Sequence, residues 1–458
     1  MKGFTLFFQK ELRVFSIIWI GQLITRLGSA MTRFALIIWA YEQAGNATTL
    51  ALMGFFSCIS FVLISPFSGV LVDRWDRRKV MMIADFGAGI MTIVMLVALS
   101  SNHLQIWHLY LAEVLSGFFE AFQSPAYDAS VSLLVPPSYL TRANGLNSLS
   151  NYASAALAPV LAGLLLNISG LKIILIIDTI TMLAAVATLF VVSIPQPAHM
   201  PAKQISIKQT VVESKFGLQY IFSRQGLAGI MIIFFFINLF GTVSYFAVLN
   251  PMILARTGGD TLALSTVQTA MGIAGIVGSF LVSVWGGRGK KVKTYLLFTV
   301  LSFFITDTMF AVGQSVWIWV FAGIISTLTI PYITSPYYAI WQEKIPAGVQ
   351  GKVFSVRNMF QRASQPIGYI LGGFLADQVF GPAMASGGTL ANFLGPLIGT
   401  GPGAGMAAIF VCTAVLGTLT GICGFLIPSI RNVEEDLPNA VLIKDIKLEP
   451  MPVSYESA

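Results

Sequence analysis

The chain has 458 residues, 55% of them apolar and only 10% charged, and its mean hydropathy is +0.78. A water-soluble globular domain carries about 25% charged residues, so a soluble fold is excluded and lipid is the expected solvent. The net charge of +7 does not mark a nucleic-acid binder, because the basic residues are scattered over several short loops instead of forming one patch.

Runs of 18 or more apolar residues recur along the chain, the signature of membrane-spanning helices. The first starts near Phe15 and has no small-residue cleavage site, so it reads as a retained span and not a signal peptide. The pattern predicts helices over 15–41, 48–73, 79–100, 105–133, 140–168 and 171–193. After a polar interval come 226–254, 261–286, 292–312, 315–342, 351–380 and 405–428. The expected architecture is all-α with twelve transmembrane helices in two six-helix bundles, residues 1–193 and 226–428. Residues 194–225, with Pro195, Pro197, Pro201 and Lys203, form a cytoplasmic linker. Residues 429–458 form a cytoplasmic tail, which from Arg431 onward mixes acids, bases and Pro and reads as disordered or surface-lying.

Loop charge orients the spans. The loops after spans 2, 4, 6, 8 and 10 carry the Arg74–Lys79 cluster, Arg142, the linker bases, Arg288 with Lys290 and Lys291, and Lys344. Loops on the other side hold only Lys172 and Arg256. Both termini are therefore expected in the cytoplasm. Ser124-Pro125-Ala126-Tyr127 returns as Ser335-Pro336-Tyr337-Tyr338 about 210 residues later, and Ala162-Gly163 as Gly372-Gly373. This internal repeat predicts two related halves with a cleft between them.

The segment Gly69-Val70-Leu71-Val72-Asp73-Arg74-Trp75-Asp76-Arg77-Arg78-Lys79 joins spans 2 and 3. It resembles the corresponding loop of the major facilitator superfamily, Gly-x-Leu-x-Asp-Arg-x-Gly-Arg-Arg/Lys, with Asp76 in place of the second Gly. The second half keeps only a degenerate echo, Trp285 to Lys291, without the acid. More narrowly, the chain is similar to macrolide-efflux drug:proton antiporters, with siderophore exporters and some phospholipid carriers close. Trp19-Ile20-Gly21-Gln22, Asp85, Ala121-Phe122-Gln123-Ser124-Pro125, Asp178, Gln342-Glu343-Lys344 and Gly351-Lys352-Val353-Phe354-Ser355 carry that likeness. Two departures stand out. Ser116 lies near the place where many proton-coupled relatives keep an Arg, and their Gly-Pro-x-x-Gly-Gly run is reduced to Ala158-Pro159-Val160-Leu161-Ala162-Gly163.

Charges inside the spans come next. Arg26 and Arg33 lie on span 1, Glu113 and Glu120 on span 4, each pair seven residues apart and so on one helix face. The two spans run antiparallel, and matched depths predict the pairs Arg26–Glu120 and Arg33–Glu113. Unpaired, four such charges would cost roughly 10–14 kcal/mol on insertion scales. Two roles stay open for them: proton coupling, or a static pair that fixes helix packing. Gly69, Asp73, Arg74, Arg77, Arg78 and Asp128 form an expected gating latch, with Asp73 capping or pairing with Arg77 and Gly69 allowing close approach to the other half. The bland alternative for Arg74, Arg78 and Lys79 is plain positive-inside topology. Gln22, Asn238 and Asp307 are expected to face the substrate cavity or to serve packing. Arg357 and Arg362 read as anchors or latches.

Other features carry no chemistry. Cys58, Cys412 and Cys423 read as buried apolar packing. The Gly399–Gly405 run lacks the strand and Lys-Ser/Thr of a phosphate loop and reads as an external loop between spans 11 and 12. His103, His108 and His199 have no metal-ligand spacing, no catalytic constellation is visible, and no cofactor is expected. The resemblance implies a secondary transporter, not an enzyme. It would be a multi-pass monomer of the cell inner (plasma) membrane that exports an amphipathic drug, siderophore or other metabolite by alternating access and proton antiport. Its partners would be that small molecule, membrane lipids and the proton gradient. A lysophospholipid or lipid translocator, and a non-transporting membrane sensor on the same fold, stay open as alternatives.

Overall fold

A computed structural model describes residues 13–135, 140–194, 207–285 and 289–438, which are helical and contain no strand. In chain order the helices are α1 (Arg13–Ala44), α2 (Ala47–Arg74), α3 (Arg77–Ser100), α4 (Ile106–Leu134) and α5 (Leu140–Val191). Then come α6 (Ile207–Phe222), α7 (Gln225–Arg256), α8 (Thr261–Trp285), α9 (Lys291–Val312) and α10 (Val316–Lys344). α11 (Ala347–Phe374), the short α12 (Ala391–Ile398) and α13 (Ala404–Leu426) complete the bundle. Among the described residues nine helices are long and apolar enough to cross a membrane.

Local chemistry sets the helix ends. Asn46 caps α2, its side chain accepting from the Thr49 N–H, and Ser315 accepts from Ile318 N–H at the start of α10. Asp76 accepts from the backbone N–H groups of Arg78 and Lys79. The residue that departs from the loop pattern is thus the N-cap of α3, a place where Asp satisfies otherwise orphaned donors. The 52-residue α5 is two helices merged across Gly170, whose φ of 72° lies in the left-handed region. A side chain there would strain the backbone, so glycine makes the turn between the expected fifth and sixth spans.

Among the described residues three π-helical turns interrupt regular winding: Thr242–Val248 in α7, Ser302–Asp307 in α9, and Leu375–Phe380 beyond α11. Internal prolines, Pro125 in α4, Pro159 in α5 and Pro366 in α11, are tolerated as in other membrane helices, where neighbouring groups satisfy the freed carbonyls.

α1 packs chiefly on α5, α2 on α4, and α3 on α4 and α5; α8 packs on α10, α9 on α10 and α13, and α7 on α11 and α13. Two seams join these sets, α2 against α11 and α5 against α8. Outward-facing Leu63, Ile83, Phe280, Phe304 and Phe393 are exposed. Such an apolar surface fits lipid and would aggregate in water.

Three expectations are corrected. The linker is not merely a polar interval, because residues 207–222 form a helix packed on α11 and α7; residues 195–206 lie outside the described residues. The tail is not loose where it begins. Pro428–Arg431 and Val433–Asp436 are helical turns, and Lys344 donates to the backbone carbonyls of Glu434 and Leu437. Cys423 is exposed, not buried.

Candidate functional site

Between the two sets lies a cavity of about 670 Å³. The first set contributes Arg33 and Phe34 from α1, Met53 and Gly54 from α2, Glu113 from α4 and Pro159 from α5. Facing them, Asn238, Tyr245 and Phe246 come from α7, Phe303 from α9, Ile330 from α10 and Tyr369 from α11. The lining is mostly apolar and aromatic with a few convergent polar groups, the usual make-up of a small-molecule site.

Charge enters from one wall. Arg33 Nε lies 3.6 Å from Glu113 Oε1, so this pair forms as the seven-residue spacing predicted, and Glu113 is only 8% exposed. A smaller pocket of about 170 Å³ shares Arg33, Gly54 and Tyr369 and adds Cys58, Glu120 and Arg362. Arg33 therefore faces both glutamates of α4. Arg362 lies over the Phe61 ring at 4.3 Å, and Cys58 Sγ donates to Gln365 Oε1 at 3.3 Å; both contacts cross the α2–α11 seam.

The second expected pair is corrected. Arg26 Nη1 donates to Asn151 Oδ1 on α5 at 2.9 Å, and its guanidinium lies 5.3 Å from the Tyr127 ring centre. Among the described residues it makes no ion pair with Glu120. α1 rests on α5 over most of its length and touches α4 only briefly, so one depth brings an α1 arginine to an α4 acid and the other does not.

Of the expected cavity groups, Asn238 lines the cavity while its Nδ2 donates to Phe234 O. Gln22 does not face the cavity. It is buried, its Nε2 donating to Asp85 Oδ2 at 2.7 Å and its Oε1 accepting from Gln123 Nε2 at 2.9 Å. Asp307 is also absent from the lining: it is fully buried behind Tyr245. Asp178 accepts from Ser29 and Thr92 and so ties α1, α3 and α5 together. Of the polar residues that carried the family likeness, Gln22, Asp85 and Gln123 form one buried network and Asp178 anchors a second.

For the expected latch, the side chains of Gly69, Asp73 and Arg74 lie outside the described residues. Arg77 opens α3, Arg78 Nη2 donates to Phe190 O at 2.7 Å, and Asp128 is exposed near the end of α4. Arg357 is buried among the rings of Tyr338, Phe354 and Trp341, an anchor within its own set.

Sequence reasoning missed the contacts that seal the far end of the seams. Asp377 accepts from Thr48 N–H at 2.7 Å, from its hydroxyl at 2.5 Å and from Ala47 N–H at 3.2 Å. At the matching place on the other seam, Asn167 Nδ2 donates to Thr261 Oγ1 at 3.1 Å. The available signal was an acid four residues beyond the repeated Gly-Gly pair.

Residues 18–369 match the family model of the Major Facilitator Superfamily. The chain is 26% identical over 375 residues to macrolide efflux protein A of Streptococcus pyogenes, covering 80% of this chain and 90% of that protein. It is 28% identical over 302 residues to the putative bacilysin exporter BacE of Bacillus subtilis (strain 168), covering 64% and 72%. Among solved structures it is similar to a bacterial homologue of the iron transporter ferroportin in an inward-facing state. There the TM-score is 0.66 and the identity 17%, over 91% of this chain and 99% of that one. A bacterial homolog of the human lysosomal transporter Spinster, inward-facing and unoccupied, gives a TM-score of 0.65 at 16% identity, covering 92% and 98%. With its helices, its cavity between two sets and a family match over most of its length, the chain belongs to the major facilitator superfamily and is a multi-pass membrane transporter.

Proposed function

We propose that this transporter exports an amphipathic, macrolide-like small molecule from the cytoplasm across the cell membrane in exchange for protons. The central cavity carries the reading. Its volume of about 670 Å³ falls within the roughly 300–1,000 Å³ of drug-sized sites. One wall is aromatic and the other offers the Arg33–Glu113 pair, so an amphipathic molecule finds a partner for each of its faces. The relatives named as a macrolide efflux protein and a bacilysin exporter support the export class.

The mechanism follows from sharing one guanidinium between two acids. With Glu113 ionised, Arg33 is held beside it. A proton arriving on Glu113 removes that attraction, and Arg33 swings toward Glu120 in the smaller pocket. Cargo leaving and proton entering are thereby coupled through one moving side chain. The two sets rock about the cavity; twelve crossings result when α5 counts as two at Gly170 and the 29-residue α4 and 28-residue α11 are added to the nine candidate spans. A helix needs about 20 residues to cross. Each set of six would move as a body, joined by the α6 linker, with both termini cytoplasmic and the chain working as a monomer.

The test is macrolide-driven proton movement in proteoliposomes under an imposed pH gradient. Glu113→Gln should reduce that movement at least tenfold while macrolide binding persists, and Glu120→Gln should do the same. Macrolide binding without flux in the wild-type chain would instead identify a sensor, and flux indifferent to pH and to both acids would overturn the coupling.

A further inference from the structure

The opposite wall of the cavity hides a carboxyl group that the Arg33–Glu113 mechanism does not use. Asp307 is 0% exposed and ends the π-helical turn Ser302–Asp307 of α9. Tyr245 faces it from the π-helical turn Thr242–Val248 of α7 and lines the cavity on its other side. π-Turns are rare and collect at functional sites, because the extra residue re-aims the side chains around it. Here two of them meet on one hydrogen bond.

Tyr245 Oη donates to Asp307 Oδ1 at 2.5 Å, and Thr413 Oγ1 of α13 donates to Asp307 Oδ2 at 2.6 Å. Thr306 Oγ1 donates to the Ser302 carbonyl at 2.6 Å and lies 2.7 Å from Tyr245 Oη, where either hydroxyl can be the donor. The Asp307 carboxyl is thus held among hydroxyl groups. Tyr245 is the titratable group facing Asp307, α13 supplies Thr413, and the described hydrogen bonds and ion pairs bring no Arg, Lys or His to it. An ionised carboxylate in that setting would be a buried charge without a counter-ion, which is costly.

We propose that Asp307 is a proton-carrying site and that Tyr245 passes its proton to and from the central cavity. The Asp307 O–H bond breaks as its proton moves to the Tyr245 oxygen, while Tyr245 gives its own proton to water in the cavity. Asp307 is left as a carboxylate accepting from Tyr245 and Thr413, and return of a proton reverses each step. The relay needs no cargo and no participation of Glu113, so it stands or falls apart from the export reading.

Infrared spectra of the purified full chain in lipid, in H2O and after transfer to D2O, test it. The wild-type chain should show a protonated-carboxyl stretch at neutral pH that disappears in Asp307→Asn and stays in Glu113→Gln. In D2O the stretch should shift, at least tenfold more slowly in Tyr245→Phe, which keeps the ring and removes the relay oxygen. A spectrum that Asp307→Asn leaves unchanged would overturn the protonated acid. Exchange equally fast in Tyr245→Phe would overturn the hand-over. The Tyr245→Phe comparison needs no substitution at Asp307, so it decides the relay even if Asp307→Asn fails to fold.

Discussion

At the scale of single residues, Asp377 caps a helix 329 residues away in sequence. The first N–H groups of α2 have no intrahelical partners, and the helix dipole favours a negative charge beside them. Asp377 supplies both needs from the other set, so its carboxylate holds the α2–α11 seam shut at the end opposite the α2–α3 turn. Asn167 offers the α5–α8 seam one amide bond and no charge, which makes the two seams unequal. Asp377→Asn keeps the shape but removes one acceptor oxygen and the charge. Lost caps cost about 0.5–2 kcal/mol, so the open state at that end should gain roughly two- to thirtyfold. Spin labels on the α1–α2 turn and on α12 would read this as a longer distance population, whereas Asn167→Ala should change it little. An unchanged distribution in Asp377→Asn would show that packing alone closes the end.

At the scale of helices, both seams depend on glycine at close approaches. A Cβ on Gly54 of α2 would lie 2.2 Å from the Tyr369 ring, and one on Gly272 of α8 would lie 2.7 Å from the Ala156 Cα. The ring can rotate into the adjoining cavity; the backbone of α5 cannot yield without moving the helix. Gly272→Ala should therefore spread the α5–α8 seam and cost about 1–3 kcal/mol of stability, the usual range for overpacking. Gly54→Ala should leave thermal stability closer to wild type while reducing binding of the proposed cargo, because the displaced Tyr369 occupies cavity volume. Equal melting temperatures for the two variants would contradict this ordering. These approaches were not legible in the sequence, and neither was the Tyr245–Asp307 contact. A π-turn adds one residue without altering hydropathy, and a glycine contact depends on what the facing helix presents. By contrast, helix boundaries followed from apolar run length, and the Arg33–Glu113 pair from spacing and antiparallel direction. Arg26 misled because equal depth does not guarantee equal proximity when two helices diverge.

At the scale of the whole molecule, the contacts across the seams run from Thr48 and Thr261 at one end to Phe61 and Ser279 partway along. The opposite end of the second set is braced differently, by the start of the tail. Glu434 Oε2 accepts from the Val292 N–H and so caps α9, whose own preceding residue, Lys290, offers no side-chain cap. Glu435 is ion-paired with Lys290, and Lys291 with Glu343 at 2.9 Å. These acids differ in what they hold. Glu434 satisfies a backbone donor, a contact of about 1 kcal/mol that salt screens weakly. Glu435 is an exposed pair, which salt screens strongly. Glu434→Ala should thus lower the melting temperature at both low and high ionic strength, and Glu435→Ala only at low ionic strength. The hydrogen bond from Lys290, helped by its charge, holds the Glu435 carboxyl below its ordinary value. A carboxyl depressed on folding stabilises fully above its unfolded value and loses that contribution as pH falls through the folded one. The wild-type and Glu435→Ala melting curves should accordingly differ at neutral pH and converge only in acid below the ordinary glutamate range. A difference that persists there would mean that Glu435 acts through packing and not through its charge.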